Sequence, residues 1–148
     1  MNSAKVIIIG AGPVGTFVAY CLAEYGIETI LLESETSCET DMRASTFHPW
    51  TLKYLDNLNL ANELIDKGLK APIFQYRIRA TDEILEFNLE ELSDVLDFPF
   101  RLQCEQYKFA RMLADKLDNH KYSSVMFNRE LISFSDAGNK VKLKVDHK

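Results

Sequence analysis

The chain has 148 residues, 47% of them apolar and 26% charged, with a net charge of −5 and a pI near 5.2. That is the size and make-up of one ordinary globular domain, which excludes a disordered, collagen-like or membrane-bundle chain. It also argues against a nucleic-acid binder, because gripping backbone phosphates calls for a basic stripe.

Lys5–Ile9 is a run of β-branched residues without alternation, which predicts a strand buried on both faces, as in a parallel sheet. A glycine cluster follows. A helix is then expected from about Pro13 to Tyr25, with Val14, Phe17, Val18, Cys21, Leu22 and Tyr25 as its apolar stripe. Gly26 stands where a helix C′ glycine belongs. Glu28–Leu32 is a second apolar strand, so the first thirty residues read as a βαβ unit.

Ser34–Asp41 is polar and loop-like. Helices are expected over about Pro49–Asn57, with proline at an early position, and Ala61–Lys67, stopping at Gly68. Phe74, Tyr76 and Ile78 alternate with polar residues, as do Leu85, Phe87 and Leu89. This predicts two half-buried strands joined near Thr81–Asp82 as an antiparallel hairpin. Glu105–Asn119 reads as a helix with Phe109, Leu113 and Leu117 on one face. Short strands are expected over Val125–Val145, with a turn at Asp136–Asn139.

The acidity is local. Seven acids and no base lie between Asp82 and Asp97, and the rest of the chain holds 15 acids against 17 bases. A solvated face on the second hairpin strand and the loop after it accounts for them. Cys21, Cys38 and Cys104 are odd in number and widely spaced, as are His48, His120 and His147. This argues against a disulfide scaffold or a zinc site and fits a reducing compartment. The apolar run at the N-terminus is too short for a signal peptide or a membrane span, so a cytoplasmic location and no membrane partner are expected.

Chemistry concentrates in Gly10-Ala11-Gly12-Pro13-Val14-Gly15. Gly10 allows the tight turn out of the strand, Gly12 lets a pyrophosphate approach the backbone, and Gly15 lets the helix pack close to the sheet. The helix N-terminus offers unpaired N–H groups to phosphates. Glu33 ends the second strand, where a carboxylate can accept hydrogen bonds from both hydroxyls of an adenosine ribose and would repel a 2′-phosphate. At this level NAD and FAD fit equally, and NADP is disfavoured.

Three segments go further. Gly10 through Gly26, with Ala19, Leu22 and Ala23, followed by Glu33, resembles the FAD-binding start of glutathione-reductase-like flavoproteins. Arg43-Ala44-Ser45-Thr46-Phe47-His48-Pro49-Trp50 resembles the Arg-Ala segment of single-component FAD-dependent aromatic hydroxylases of the para-hydroxybenzoate and phenol hydroxylase type. Arg101-Leu102-Gln103 before a helix is similar to that family's strand with a flavin-contacting glutamine. Trp50 departs from the family, whose helix often has Arg or Pro there.

The resemblance implies an α/β fold with a Rossmann-like FAD-binding βαβ core and an inserted antiparallel hairpin. Residues 1–70 and 100–148 would form the FAD-binding core and 71–99 a substrate-side β segment. The implied cofactor contacts are Gly10, Gly12, Pro13, Val14, Gly15, Glu33, Ser34, Arg43, Ala44 and Gln103, with no metal ligand and no catalytic acid or base among them. Glu33 would take the adenosine ribose, Arg43 would lie along the diphosphate and ribityl part, and Gln103 would bond near the ribityl chain or flavin ring. Cys104 reads as packed rather than reactive.

The implied activity is hydroxylation of a small aromatic, phenolic substrate by FAD and O2, with NAD(P)H as transient reductant. The family's later Asp-Gly segment, which closes the first FAD sheet, has no counterpart before Lys148, nor has its Gly-Asp-Ala segment. A truncated chain or a piece of a longer enzyme, inactive by itself, is therefore expected. The competing readings are another flavoenzyme of the fold (halogenase, epoxidase or oxidase), an NAD-binding dehydrogenase domain and a non-catalytic short chain. Substrate identity and oligomeric state are not encoded in any recognisable pattern.

Overall fold

A computed structural model describes residues 3–38, 40 and 44–147. In chain order its first elements are β1 (Val6–Ile9), α1 (Pro13–Glu24), β2 (Thr29–Leu32), β3 (Thr46–Phe47), α2 (Pro49–Asp56) and α3 (Ala61–Ile65). Then come β4 (Leu69–Ala71), β5 (Ile73–Ile78), β6 (Glu83–Asn88), β7 (Arg101–Gln103), α4 (Gln106–Asp118), β8 (Ser123–Met126), β9 (Arg129–Asp136) and β10 (Val141–His147). They form two compact units, Met1–Asp41 with Phe109–Lys148, and Met42–Lys108.

The first unit is built on a parallel sheet of order β1-β2-β8. Val6 to Ile9 pair in register with Thr29 to Leu32, which pair in turn with Ser123 to Met126. The central strand β2 is buried along its whole length, as its apolar residues Ile30 to Leu32 require, and the Thr29 hydroxyl is satisfied by donating to the Ile27 carbonyl. β1 is less buried than its sequence suggests, and Ile9 is 47% exposed. The reason is positional: among the described residues β1 has a strand on one edge only.

The inner face of α1 also differs from its hydrophobic periodicity. Thr16, Ala19 and Ala23 are buried, whereas Val14 and Tyr25 are 74% and 82% exposed and Val18 is exposed as well. Close approach explains the choice. A Cβ on Gly15 would lie 2.0 Å from the Gly10 carbonyl oxygen, so the helix start sits against the strand turn and only small side chains fit beneath it. The buried Thr16 hydroxyl is satisfied by donating to the Gly12 carbonyl at 2.9 Å.

The other end of α1 closes as the glycine predicts. Gly26 has φ +72, its N–H donates to the Ala23 carbonyl, and the Ile27 N–H donates to the Leu22 carbonyl. These two bonds are a Schellman motif. Ala11, Ala19, Ala23, Leu31, Cys38, Ala110, Ala114 and Leu117 form the buried cluster of this unit, with Ile8, Tyr20, Tyr122, Val125 and Phe127 packed against it. Antiparallel β9 and β10 complete the unit.

The second unit has an antiparallel sheet of order β3-β7-β4, with Leu102 of β7 fully buried. β3 and β4 are two and three residues long and were not expected from the sequence. Leu52, Leu55, Leu60, Ala61 and Leu64 bury the inner faces of α2 and α3. The β5–β6 hairpin has the expected turn, with Asp82 at φ 56. Its strands are largely exposed rather than half-buried, because alternation marks two faces but not what covers them. Phe74 and Phe87 stack at 5.0 Å, and the Tyr76 ring meets both edge-on. The acidic run is solvent-facing, as expected. Glu86 accepts from Gln75, and Asp97 pairs with Lys53.

Gly15→Ala should destabilise the chain by about 1–3 kcal/mol, the usual cost of overpacking a tight contact. Chemical denaturation measures it, and an unchanged midpoint would contradict the close approach of α1 to the turn.

Candidate dinucleotide-binding site

The glycine turn connects the end of β1 to the start of α1. Gly10 has φ +99, a conformation that favours glycine, and its N–H donates to the Leu32 carbonyl at 2.7 Å. At Gly12 the reason for glycine is different. A Cβ there would meet nothing within 4 Å, so the space above the turn is open to an approaching group. α1 begins with Gly12 as N-cap and Pro13 in the first turn, and no side chain caps it. Its first internal bond is Thr16 N–H to the Gly12 carbonyl at 3.0 Å. Among the described residues, the amides of Gly12, Val14 and Gly15 therefore donate to no protein group. Three unpaired N–H groups at the positive end of a helix, beside an open glycine surface, suit a diphosphate.

Glu33 is fixed from both sides. Its backbone N–H donates to the Met126 carbonyl at 2.9 Å, and its carbonyl accepts from the Arg129 N–H at 2.8 Å. Its carboxylate turns toward the glycine loop. Oε2 accepts from the Ala11 N–H at 2.7 Å. Oε1 accepts from the Glu35 N–H at 3.0 Å and from the Ser34 hydroxyl at 3.1 Å. Burial pushes this carboxyl up, but the hydrogen bonds from Glu35, Ala11 and Ser34 outweigh burial and hold it below the ordinary glutamate value. Each carboxylate oxygen can accept two bonds, so capacity for ribose hydroxyls remains.

The sequence pointed to Gly10, Gly12, Pro13, Val14, Gly15, Glu33 and Ser34, and these lie together in the first unit. It gave no role to Ala11, whose side chain carries no chemistry. The matching sign was the acid at the end of β2, placed where it can accept from the turn.

Ala44 and Gln103 belong to the second unit. The Ala44 carbonyl accepts from the Gln106 N–H at 3.1 Å. Gln103 pairs across the sheet with Thr46, whose hydroxyl donates to Gln103 Oε1 at 3.1 Å. That bond leaves the Gln103 amide nitrogen as a donor and fixes its direction. Arg43 lies outside the described residues. Cys104 is buried, and burial pushes its thiol up, which agrees with a packing role. Among the described residues no group of three or more His, Cys, Asp or Glu could hold a metal ion, and no helix is long and apolar enough to cross a membrane.

Residues 3–148 match the model of a family described as FAD binding domain. The chain belongs to this FAD-binding family. It is 32% identical over 113 residues to 6-hydroxy-3-succinoylpyridine 3-monooxygenase of Pseudomonas putida, covering 76% of this chain and 29% of the relative. It is 28% identical over 112 residues to para-nitrophenol 4-monooxygenase of a Pseudomonas species, covering 76% of this chain and 28% of the relative. The crystal structure of p-nitrophenol 4-monooxygenase from Pseudomonas putida superimposes with a TM-score of 0.86 at 23% identity, over 95% of this chain and 35% of that one. A myxobacterial FAD-dependent halogenase shares the fold, with a TM-score of 0.80 at 23% identity over 96% of this chain and 32% of that one. The chain thus spans less than a third of the length of the two curated relatives. Its α/β fold is that of FAD-dependent monooxygenases, and the curated relatives it matches include aromatic-ring monooxygenases.

Because the Glu33 carboxyl is held low in the folded chain, the bonds it accepts are intact at neutral pH. They are lost as pH falls through that depressed value. The Ala11 amide resonance should therefore titrate with Glu33, with a midpoint below the ordinary glutamate range. An Ala11 shift that does not move between neutral pH and pH ~2 would contradict the bond.

Proposed function

We propose that this chain holds the adenosine diphosphate half of FAD in a monooxygenase that hydroxylates a small phenolic ring, with NAD(P)H and O2 as co-substrates. The observation that carries the reading is the set of unpaired Gly12, Val14 and Gly15 amides beside the Glu33 carboxylate, in a chain of the FAD-binding family. The substrates named for the two curated relatives, a hydroxylated pyridine and a nitrophenol, support an aromatic ring as the acceptor.

Bound FAD supplies the redox chemistry and the reaction with O2. The protein's part is to bind and to orient. The Gly12, Val14 and Gly15 amides donate to the diphosphate oxygens, and the Glu33 carboxylate accepts from the ribose hydroxyls. Ser34 holds that carboxylate by its hydroxyl. Gly10 and Pro13 shape the turn and the helix start. Gln103, oriented by Thr46, donates its amide nitrogen to the ribityl or flavin part. Arg43 and Ala44 contribute from the adjoining segment, the guanidinium pairing with phosphate oxygens. Residues 71–99 supply a substrate-side β segment, and the rest of the chain forms the FAD-binding core. Three free cysteines, two of them buried, support a reducing, cytoplasmic setting.

FAD titrated into the chain should be displaced by ADP, which shares the diphosphate and ribose, and not by FMN, which lacks the adenosine. A chain that binds NAD but not FAD would overturn the reading. Gln103→Ala should alter the absorption spectrum of bound FAD while leaving ADP affinity unchanged. A loss of ADP affinity would place Gln103 on the adenosine half instead.

A further inference from the structure

Resting on that reading of the site, we propose that Glu33 is a positioning residue for the diphosphate, acting through the glycine turn, in addition to any contact with the ribose. Three observations carry this. The Ala11 N–H, on a residue that is 1% exposed, has Glu33 Oε2 as its acceptor at 2.7 Å. The Ala11 amide is thereby withdrawn from the phosphate-binding set and its direction is locked. The turn's next amide, that of Gly12, has no protein acceptor among the described residues, and a Cβ on Gly12 would meet nothing within 4 Å.

Second, Glu33 does not move freely. Its backbone is bonded on both sides to the β8–β9 junction, at Met126 and Arg129, and the neighbouring Glu35 carbonyl accepts from Asn128 at 3.0 Å. Glu35 N–H and the Ser34 hydroxyl hold the other carboxylate oxygen. A carboxylate anchored this way transmits the position of β2 and β8 to the turn.

Third, few bonds tie the turn to β2, although α1 holds its far end through the Gly12 carbonyl. Among the described residues its other backbone tie to β2 is Gly10 N–H to the Leu32 carbonyl, and Gly10 and Gly12 have no side chains to pack. Two glycines in succession around one alanine form a mobile segment unless it is bonded in place. Glu33 therefore sets the geometry of the amides that meet the phosphates, whatever it does to the sugar.

The two roles separate by choice of ligand. ADP carries both ribose hydroxyls; 2′,3′-dideoxyadenosine diphosphate carries neither but keeps the diphosphate. Binding of each to the full 148-residue chain is measured for wild type, Glu33→Ala and Glu33→Gln. The proposal expects Glu33→Ala to weaken the dideoxy ligand by about tenfold, as loss of one charge-assisted bond would. Glu33→Gln keeps one acceptor oxygen for Ala11 and should recover most of that loss. If Glu33→Ala weakens ADP alone and leaves the dideoxy ligand unchanged, Glu33 acts only on the ribose and the proposal is overturned.

Amide hydrogen exchange in the ligand-free chain is read alongside. Protection at Ala11 should fall in Glu33→Ala and return in Glu33→Gln. Protection equal to wild type in both variants would overturn the proposal even if neither ligand bound. Failure of wild type to bind either ligand, with Ala11 protection lost in Glu33→Ala, would instead sink the FAD-binding reading, and with it the role toward the diphosphate, and leave only the hold of Glu33 on the turn.

Discussion

The bond from the Ala11 N–H to the Glu33 carboxylate is the constraint on which the site depends. It joins the ends of two adjacent parallel strands at the place where the chain leaves one of them for a helix. Parallel pairing of β1 with β2 brings Ile9 beside Leu32, and so places the residues after each strand within reach of one another. A hydrogen bond to a charged group contributes about 1.5–3 kcal/mol, and leaving a buried N–H unpaired costs a similar amount. Both considerations favour a carboxylate at this position before any ligand arrives. The same group is then available to a sugar hydroxyl, because a carboxylate has more acceptor sites than the turn uses.

The turn and the helix divide the remaining work by what their residues lack. Gly10 is needed for its positive φ, Gly15 for the absence of a Cβ against the Gly10 carbonyl, and Gly12 for the open space above it. The close approach at Gly15 propagates along α1. It selects Thr16, Ala19 and Ala23 as the inner face and leaves Val14 and Val18 outside. A helix held near the sheet in this way keeps its first amides in fixed positions, which is what a diphosphate site requires.

The βαβ unit was legible because each of its parts carries a separate sign. Two unbroken apolar strands, a glycine at each end of the helix and an acid closing the second strand agree with one another. The inner face of α1 was not legible, because hydrophobic periodicity weighs size and apolarity, whereas closeness to the sheet weighs smallness. β3 and β4 are too short for any period to show. The exposed hairpin misled for another reason: Phe74, Tyr76, Leu85 and Phe87 alternate as core residues do, yet the three rings pack on one another and Leu85 is 53% exposed. At Gln103 the residue was singled out by resemblance, but its partner Thr46 lies 57 residues away, a pairing that only the folded sheet supplies. Ala11 was invisible to any argument from side-chain chemistry, since it acts through its backbone.

In the proposed site the amides of Gly12, Val14 and Gly15 meet the diphosphate while Ala11 remains committed to Glu33. Backbone amide resonances followed during an ADP titration test this arrangement most directly. The largest displacements are expected at Gly12, Val14 and Gly15, with Ala11 keeping its hydrogen-bonded shift. Displacement centred on Ala11, or none in the turn at saturating ADP, would contradict it.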